Sequence, residues 1–312
     1  MNATTPNSAS NSPNNYHVSV LLNESLEALA IQPEGVYVDA TFGGGGHSKG
    51  ILQHLGPNGR LFVFDQDADA AANLPDDSRI VFLPYNFRHL QRILRLHQVT
   101  KVDGILADLG VSSHQFDESK RGFSIRYDGP LDMRMDRRQP LTAADIVQTF
   151  DEKQLHKMFE QYGEVTNSKT LARLIVQQRI HMQAETISQF KNMISAAVKG
   201  NPNKYLAQVF QALRMEVNDE LGALKDMLQQ IPALLKPGGR AAIITFHSIE
   251  DRMVKNFFRQ GQVDEIPTNP LLPDTKEKVF TLVNKKPIQP SQEEQTKNPR
   301  SRSAKLRVAE KL

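Results

Sequence analysis

The chain has 312 residues, 39% of them hydrophobic and 23% charged, with a net charge of +3, no Cys and no Trp. That length suits one large domain or a domain carrying an insertion. Without cysteine it can form no disulfide, no thiolate metal site and no thiolate nucleophile, and no stretch approaches the roughly 20 apolar residues that span a bilayer.

Residues 1–15, rich in Asn, Ser, Thr and Pro, offer little to bury and are expected to form a disordered tail. No Lys or Arg precedes Lys49, which argues against a basic secretory leader and makes the cytoplasm the default location. An amphipathic helix is expected over 18–29. Short apolar runs at 36–40, 61–65, 80–83 and 104–108 then read as strands, with helical spacing over 48–55 and 90–96 between them. Strands separated by helices imply a parallel sheet with right-handed crossovers.

The pattern changes after Gln115. Residues 115–135 are polar and rich in Asp, Arg and Gly, and helices are expected over 151–162, 168–182 and 186–199. This stretch reads as a helical insertion. From Tyr205 to Leu228 the apolar residues keep three-four spacing, as in one long helix with a single buried face. It leads into the turn Leu234-Leu235-Lys236-Pro237-Gly238-Gly239-Arg240 and a strand at 241–245, so the α/β pattern returns; further strands are expected at 278–283 and 306–309.

The chemistry concentrates where the first strand ends. Gly43-Gly44-Gly45-Gly46 sits between a buried strand and a helix, where bare backbone lets a ligand approach without a Cβ in the way. Twenty residues after Gly45 the second strand ends in Asp65, placed to accept hydrogen bonds from ribose hydroxyls. A dinucleotide site would carry a glycine where this turn has Ser48. The Lys236-Pro237-Gly238-Gly239 run resembles the pre-strand turn of Rossmann-like methyltransferases, and Asp108-Leu109-Gly110-Val111 follows the fourth strand, where such enzymes place their reacting face. S-adenosyl-L-methionine is therefore the expected cofactor. A nicotinamide oxidoreductase and a nonenzymatic RNA-binding factor with a vestigial pocket are the rival readings.

Several ordered motifs carry a family resemblance: Asp39-Ala40-Thr41-Phe42-Gly43-Gly44-Gly45-Gly46-His47, Asp108-Leu109-Gly110-Val111-Ser112-Ser113, Arg121-Gly122-Phe123-Ser124, Gly129-Pro130-Leu131-Asp132-Met133-Arg134-Met135-Asp136, Phe246-His247-Ser248-Ile249-Glu250-Asp251 and Asn298-Pro299-Arg300-Ser301-Arg302-Ser303. From about His17 to Lys311 the chain resembles the ribosomal RNA small subunit methyltransferase H family. The resemblance implies an α/β fold, a Rossmann-like class I methyltransferase sheet with an inserted all-helical domain. The sheet domain would occupy 16–115 and 205–312, and the substrate-recognising insertion 116–204.

It also implies methylation of N4 of a cytidine in the decoding region of 16S ribosomal RNA, with an assembled small ribosomal subunit as partner, and it is compatible with a homodimer. By motif match the cofactor contacts would be Gly44, Gly45, Gly46, His47, Asp65, Phe87, Asp108 and Gln115. His114, Thr166-Asn167 and Tyr205-Leu206-Ala207-Gln208 depart from the family pattern, mostly in or beside the insertion.

Asp108, at the end of the fourth strand, is the candidate acceptor of the amine proton, with a purely cofactor-orienting role as its alternative. The missing thiol removes the route to ring-carbon methylation that begins with attack on C6. His47 reads as a helix-start or cofactor-contact residue before a base, and His247 as a helix cap ahead of Glu250. Nine scattered histidines show no paired ligand spacing, so no metal is expected. For RNA the candidates are Arg134, Arg137 and Arg138 in the insertion and Arg300, Arg302, Lys305 and Arg307 near the end, with Phe123 and Tyr127 as stacking residues. From Lys285 to Leu312 eight basic residues face three acidic ones, a segment able to track phosphates.

Overall fold

In the computed structural model, which describes residues 19–263 and 278–312, the short apolar runs form strands. They are β1 (Val36–Asp39), β2 (Arg60–Phe64), β3 (Ile80–Leu83), β4 (Val102–Asp108), β5 (Leu235–Thr245), β6 (Phe280–Leu282) and β7 (Lys305–Lys311). The tail expected over 1–15 lies outside the described residues, as does the start of the first helix at Val18.

Among the described residues the strands make one sheet in the order β3-β2-β1-β4-β5-β7-β6. The first five run parallel, and β7 lies antiparallel between β5 and β6. The chain winds outward from β1 to β3, then crosses back to β4 on the other side of β1. A crevice therefore opens between the carboxyl ends of β1 and β4, where such sheets bind ligands.

Alternation along the strands serves two helical layers. Val38, Phe62, Phe64, Ile105 and Ile243 point to one face, with Leu90, Ile93, Leu228, Ile231 and Phe257. These come from α3 (Leu90–Leu96), α10 (Glu220–Leu234) and α11 (Ser248–Gln260). Tyr37, Leu61, Val63, Leu106 and Ile244 point to the other, against Leu29, Ile51 and Leu52 of α1 (Leu22–Leu29) and α2 (Gly46–His54). The α/β class expected from the sequence is the observed one.

Between β4 and α10 the chain is helical: α4 (Ser113–Asp117), α5 (Ala143–Thr149), α6 (Glu152–Gln161), α7 (Ser168–Gln178), α8 (Ile187–Met193) and α9 (Pro202–Val217). Local sequence explains several starts. Ser112 with Gln115, Thr142 with Asp145, Asp151 with Gln154 and Thr186 with Gln189 each form a reciprocal capping box. The final helix, α12 (Gln292–Lys297), precedes β7.

Two expectations need correction. The single long helix over 205–228 is two helices, because Asp219 adopts a left-handed backbone (φ 44°) between α9 and α10. Asn218 pins the break: its Oδ1 accepts from the Met135 N–H, and its Nδ2 donates to the carbonyls of Met133 and Arg214. The apolar face of α9 packs with the helical cluster of Phe159, Leu171 and Phe190, whereas α10 packs on the sheet. The packing thus changes partner at Asn218–Asp219, later than the expected boundary at 204/205. Of the turn expected over 234–240, Leu234 ends α10 and 235–240 belong to β5, with an irregularity where the pairing steps from Val102–Leu235 to Gly104–Arg240. Among the described residues no helix is long and apolar enough to cross a membrane.

Candidate active site

Three strands end in aspartates at the crevice: Asp39 on β1, Asp65 just past β2, and Asp108 on β4. A cavity of about 660 Å³ lies beyond them, within the range of small-molecule sites. Gly44, Gly46, His47, Asp65, Phe87, Asp108 and Gln115 all line it. The structure thus gathers seven of the eight residues expected at a cofactor site.

Gly45 is the exception and sits behind the wall. It caps α2 with φ +74°, and a Cβ there would lie 2.9 Å from the Phe42 ring. Only glycine meets both demands, since the left-handed region is strained for side chains. Gly44, by contrast, is exposed to the cavity, and a Cβ added to it would meet nothing within 4 Å. Gly44→Ala is therefore expected to leave thermal unfolding unchanged while weakening cofactor binding about tenfold, the effect of one misplaced methyl group in a fitted pocket. Unchanged binding by calorimetry would place the ligand elsewhere.

Asp65 joins the glycine turn to β2. Its Oδ2 accepts from the Gly43 N–H at 2.8 Å and its Oδ1 from the Asp67 N–H at 2.8 Å. Burial pushes this carboxyl up to about 6, against those two hydrogen bonds. Each oxygen keeps a lone pair for a further donor. The neighbouring wall comes from Gln66, Tyr85, Asn86 and Phe87. There the Asn86 Nδ2 donates to Gln66 Oε1, and Gln66 Nε2 contacts Met135 Sδ at 3.2 Å.

Gln115 faces the cavity through a rigid mount. Its Oε1 accepts from the Ser112 N–H and its Nε2 donates to Asp67 Oδ2 at 2.7 Å. The same Asp67 carboxylate meets the buried Arg121, whose Nη1 lies 2.7 Å away. Arg121 also donates to the carbonyls of Arg134 and Met135, tying the helical part to the sheet beside the cavity.

Asp108 donates its backbone N–H to Thr41 Oγ1. Its Oδ2 lies 3.8 Å from His47 Nδ1, and its Oδ1 is buried with no hydrogen-bond partner. Burial pushes the carboxyl up to about 6 against the pull of His47, and Asp39, Glu250 and Glu294 add to the rise. Such a group is a carboxylate at neutral pH and still a competent proton acceptor.

Glu220 and Glu250 of the cavity lining, together with His247 behind them, bring ligand-type atoms within 4.8 Å of one another. Arg214 grips both oxygens of Glu220, at 2.7 and 3.0 Å. His247 caps α11 by accepting the Glu250 N–H at Nδ1, while its buried Nε2 lies 3.0 Å from Glu250 Oε1 without a hydrogen bond to it. Burial raises the Glu250 carboxyl, but His247, the Phe246 N–H and Arg214 outweigh it and hold it below the usual range.

The basic candidates separate. Arg134 is clamped by Asp132, Arg138 by Asp136, and Arg307 by Asp251, with Lys305 3.5 Å from the same carboxylate. Arg300 lines the cavity, paired with Asp117 and stacked over Phe116 at 5.1 Å. Arg137 and Arg302 are exposed. Phe123 is 5% exposed and packs in the helical core, so it offers no stacking surface; Tyr127 is 52% exposed.

Sequence reasoning missed Gln66, Asn86, Met135, Asn218 and Glu220 on the cavity wall. The Asn218-Asp219 pair inside an otherwise helical run was the available signal for the last two, since both residues favour caps and left-handed turns.

Relatives named ribosomal RNA small subunit methyltransferase H include one from Bacteroides fragilis, 53% identical over 95% of this chain and 97% of its own length. Another, from Cytophaga hutchinsonii, is 53% identical over 95% and 99%. Similar solved structures include a putative methyltransferase from Streptococcus mutans in complex with SAH (TM-score 0.40, 14% identity, 95% and 99% covered). Fibrillarin from Aeropyrum pernix is a further one (TM-score 0.41, 10% identity, 92% and 73% covered). The model of the MraW methylase family matches residues 14–312, and the chain belongs to that family, with S-adenosyl-L-methionine as its methyl donor.

Proposed function

We propose that this protein methylates N4 of a cytidine in the decoding region of 16S ribosomal RNA, in the cytoplasm and on an assembled small ribosomal subunit. The relatives named as ribosomal RNA small subunit methyltransferases support the RNA class. The observation that carries the amine reading is Asp108, a largely buried carboxylate at the crevice with one oxygen unpartnered.

The cofactor brings a methyl group already activated on a sulfonium. What remains for the chain is to orient the acceptor, exclude water and take a proton. The cytosine amine is a poor nucleophile because its lone pair is delocalised into the ring. A carboxylate accepting one N–H returns electron density to nitrogen and then receives the proton. Asp108 is placed for that role, and the absent thiol supports nitrogen over ring carbon.

The cofactor's ribose is assigned to Asp65, its adenine to the wall of Gln66, Asn86 and Phe87, and its amino acid to the side of Gly44, Gly46 and His47, with Gln115 completing the pocket. The bare backbone of Gly44 and the spare lone pairs of Asp65 support that fit. Arg137 and Arg302 supply exposed charge for RNA phosphates, with Arg134 and Arg300 available only by giving up Asp132 and Asp117.

The raised Asp65 carboxyl makes binding pH-dependent. Hydroxyl donors favour its ionised form, so cofactor affinity should rise as pH increases through about 6 and level off above it. Calorimetry of S-adenosylhomocysteine in two buffers of different ionisation heat should then show proton release near pH 6. Asp65→Asn should abolish the release, and its persistence would remove Asp65 from the ribose. The function is tested by incubating the protein with labelled cofactor and small ribosomal subunits, then analysing nucleosides by mass spectrometry. Label in N4-methylcytidine is expected; label in a 2′-O-methyl or ring-carbon product would overturn the reading.

A further inference from the structure

His47 sits in the first turn of α2, is 5% exposed, and has a ring with two differently committed nitrogens. Nε2 lies 3.0 Å from the carbonyl oxygen of Val20. A carbonyl can only accept, so Nε2 carries a hydrogen whether the ring is neutral or charged. Any proton the ring gains or loses is therefore at Nδ1. That atom faces Asp108 Oδ2. In the neutral ring it presents a lone pair to a carboxylate, an arrangement one added proton would relieve.

We propose that His47 and Asp108 form a proton-accepting dyad, in which the hydrogen leaving the methylated amine is shared between Asp108 Oδ2 and His47 Nδ1. The inference deepens the amine reading above and rests on it for the source of the proton. In the step, one N–H bond of the methylated amine breaks and its electron pair stays on nitrogen. The proton bonds to Asp108 Oδ2 and then moves to Nδ1. The resulting imidazolium has both N–H groups satisfied, by Val20 and by Asp108. At 3.8 Å the pair must close by about 1 Å, a tightening common when a site fills.

Further carboxylates surround the pair. Asp39 on β1, Glu250 on α11 and Glu294 on α12 all act on Asp108. Lys49 on α2 and Arg300 are the cations on the same cavity wall, and Arg300 is spent on Asp117. Asp39 is held by Ser48 Oγ, which donates to its Oδ2 at 2.6 Å, and by the Thr41 N–H, which donates to its Oδ1. His47 is thus a positioning residue that acts through Asp108.

The first test needs no acceptor. Protein labelled with 15N-histidine and bound to S-adenosylhomocysteine is titrated by NMR from about pH 5 to about pH 9, a window that brackets ordinary imidazole titration. The Nε2 hydrogen should persist throughout, and the Nδ1 resonance should move on Asp108→Asn because that nitrogen faces the replaced carboxylate. A neutral ring carrying its hydrogen on Nδ1, or an Nδ1 resonance unmoved by Asp108→Asn, would overturn the dyad.

The second test is the pH profile of methyl transfer by His47→Gln. Losing the ring removes one of two places for the proton and also the pull that His47 exerts on the Asp108 carboxyl, so kcat should fall about 10- to 100-fold and the acid limb should move to higher pH. An unmoved acid limb, or a loss carried wholly by the KM for cofactor, would overturn the proposal. Absence of transfer by the unaltered protein would instead overturn the amine reading, while the histidine titration judges the dyad by itself.

Discussion

Asp108→Asn is expected to slow single-turnover methyl transfer by about 10²- to 10⁴-fold, the range for removing a positioned proton acceptor. The substitution preserves size and one carbonyl oxygen but cannot take a proton. Cofactor affinity should change by no more than about threefold, roughly the worth of one exchanged hydrogen bond. In the unaltered protein the rate should rise with pH through about 6 and then level off, because the Asp108 carboxyl is pushed up to about 6 by burial and only its ionised form accepts. The same shift sets the sign of the stability effect. A carboxyl whose folded value is raised stabilises the fold only while protonated, and that contribution is lost as pH rises through the folded value. The Asn variant should therefore be at least as stable as the parent at pH 7. A lower denaturation midpoint with proportionate loss of cofactor binding would reassign Asp108 to structure.

Arg121→Met is expected to cost about 3–5 kcal/mol of stability, because it leaves a buried carboxylate without its cation. The Arg121 side chain is 1% exposed and Asp67 7%. Asp67 would keep Gln115 Nε2 and the Asp69 N–H, but the carbonyls of Arg134 and Met135 would also lose their shared donor. Urea denaturation at neutral pH measures the loss. Asp67→Asn in the Arg121→Met background should recover part of it, since the orphaned charge is then gone. Strictly additive effects would show that the two residues do not act as a pair. Methyl transfer by Arg121→Met should fall beyond what unfolding explains, because the same guanidinium holds 134–135, and with it Met135, against the cavity.

The sheet was legible because its signal is local. Runs such as Leu61-Phe62-Val63-Phe64, bounded by Gly59 and Asp65, are buried on both faces and need no distant partner to be recognised as strands. The glycine turn was legible for the same reason: strand, glycines and helix are contiguous. The arginines expected at an RNA surface were not, because a charge on the surface and a charge in a clamp look identical in sequence. Asp132 holds Arg134 from two residues away, whereas Asp117 reaches Arg300 across 183 positions. Phe123 misled in the opposite direction, since an aromatic in a polar stretch can be core when the stretch folds back over a helical cluster.

By itself the sequence determined the α/β alternation, the glycine turn with Asp65, the absence of any thiol and the family. All of these depend on residue types at short spacing, which local conformational preference and burial are enough to decode. The tertiary structure alone decided which residues share the cavity and how they are charged. Asp39, Asp65 and Asp108 meet because three strands end at one crevice, and the carboxyls of Asp65 and Asp108 stand near 6 because folding strips water from them. The break at Asn218–Asp219, the Arg121–Asp67 tie and the facing of His47 Nδ1 on Asp108 likewise come from pairs far apart in the chain. Burial and hydrogen-bond geometry exist only once those pairs are brought together.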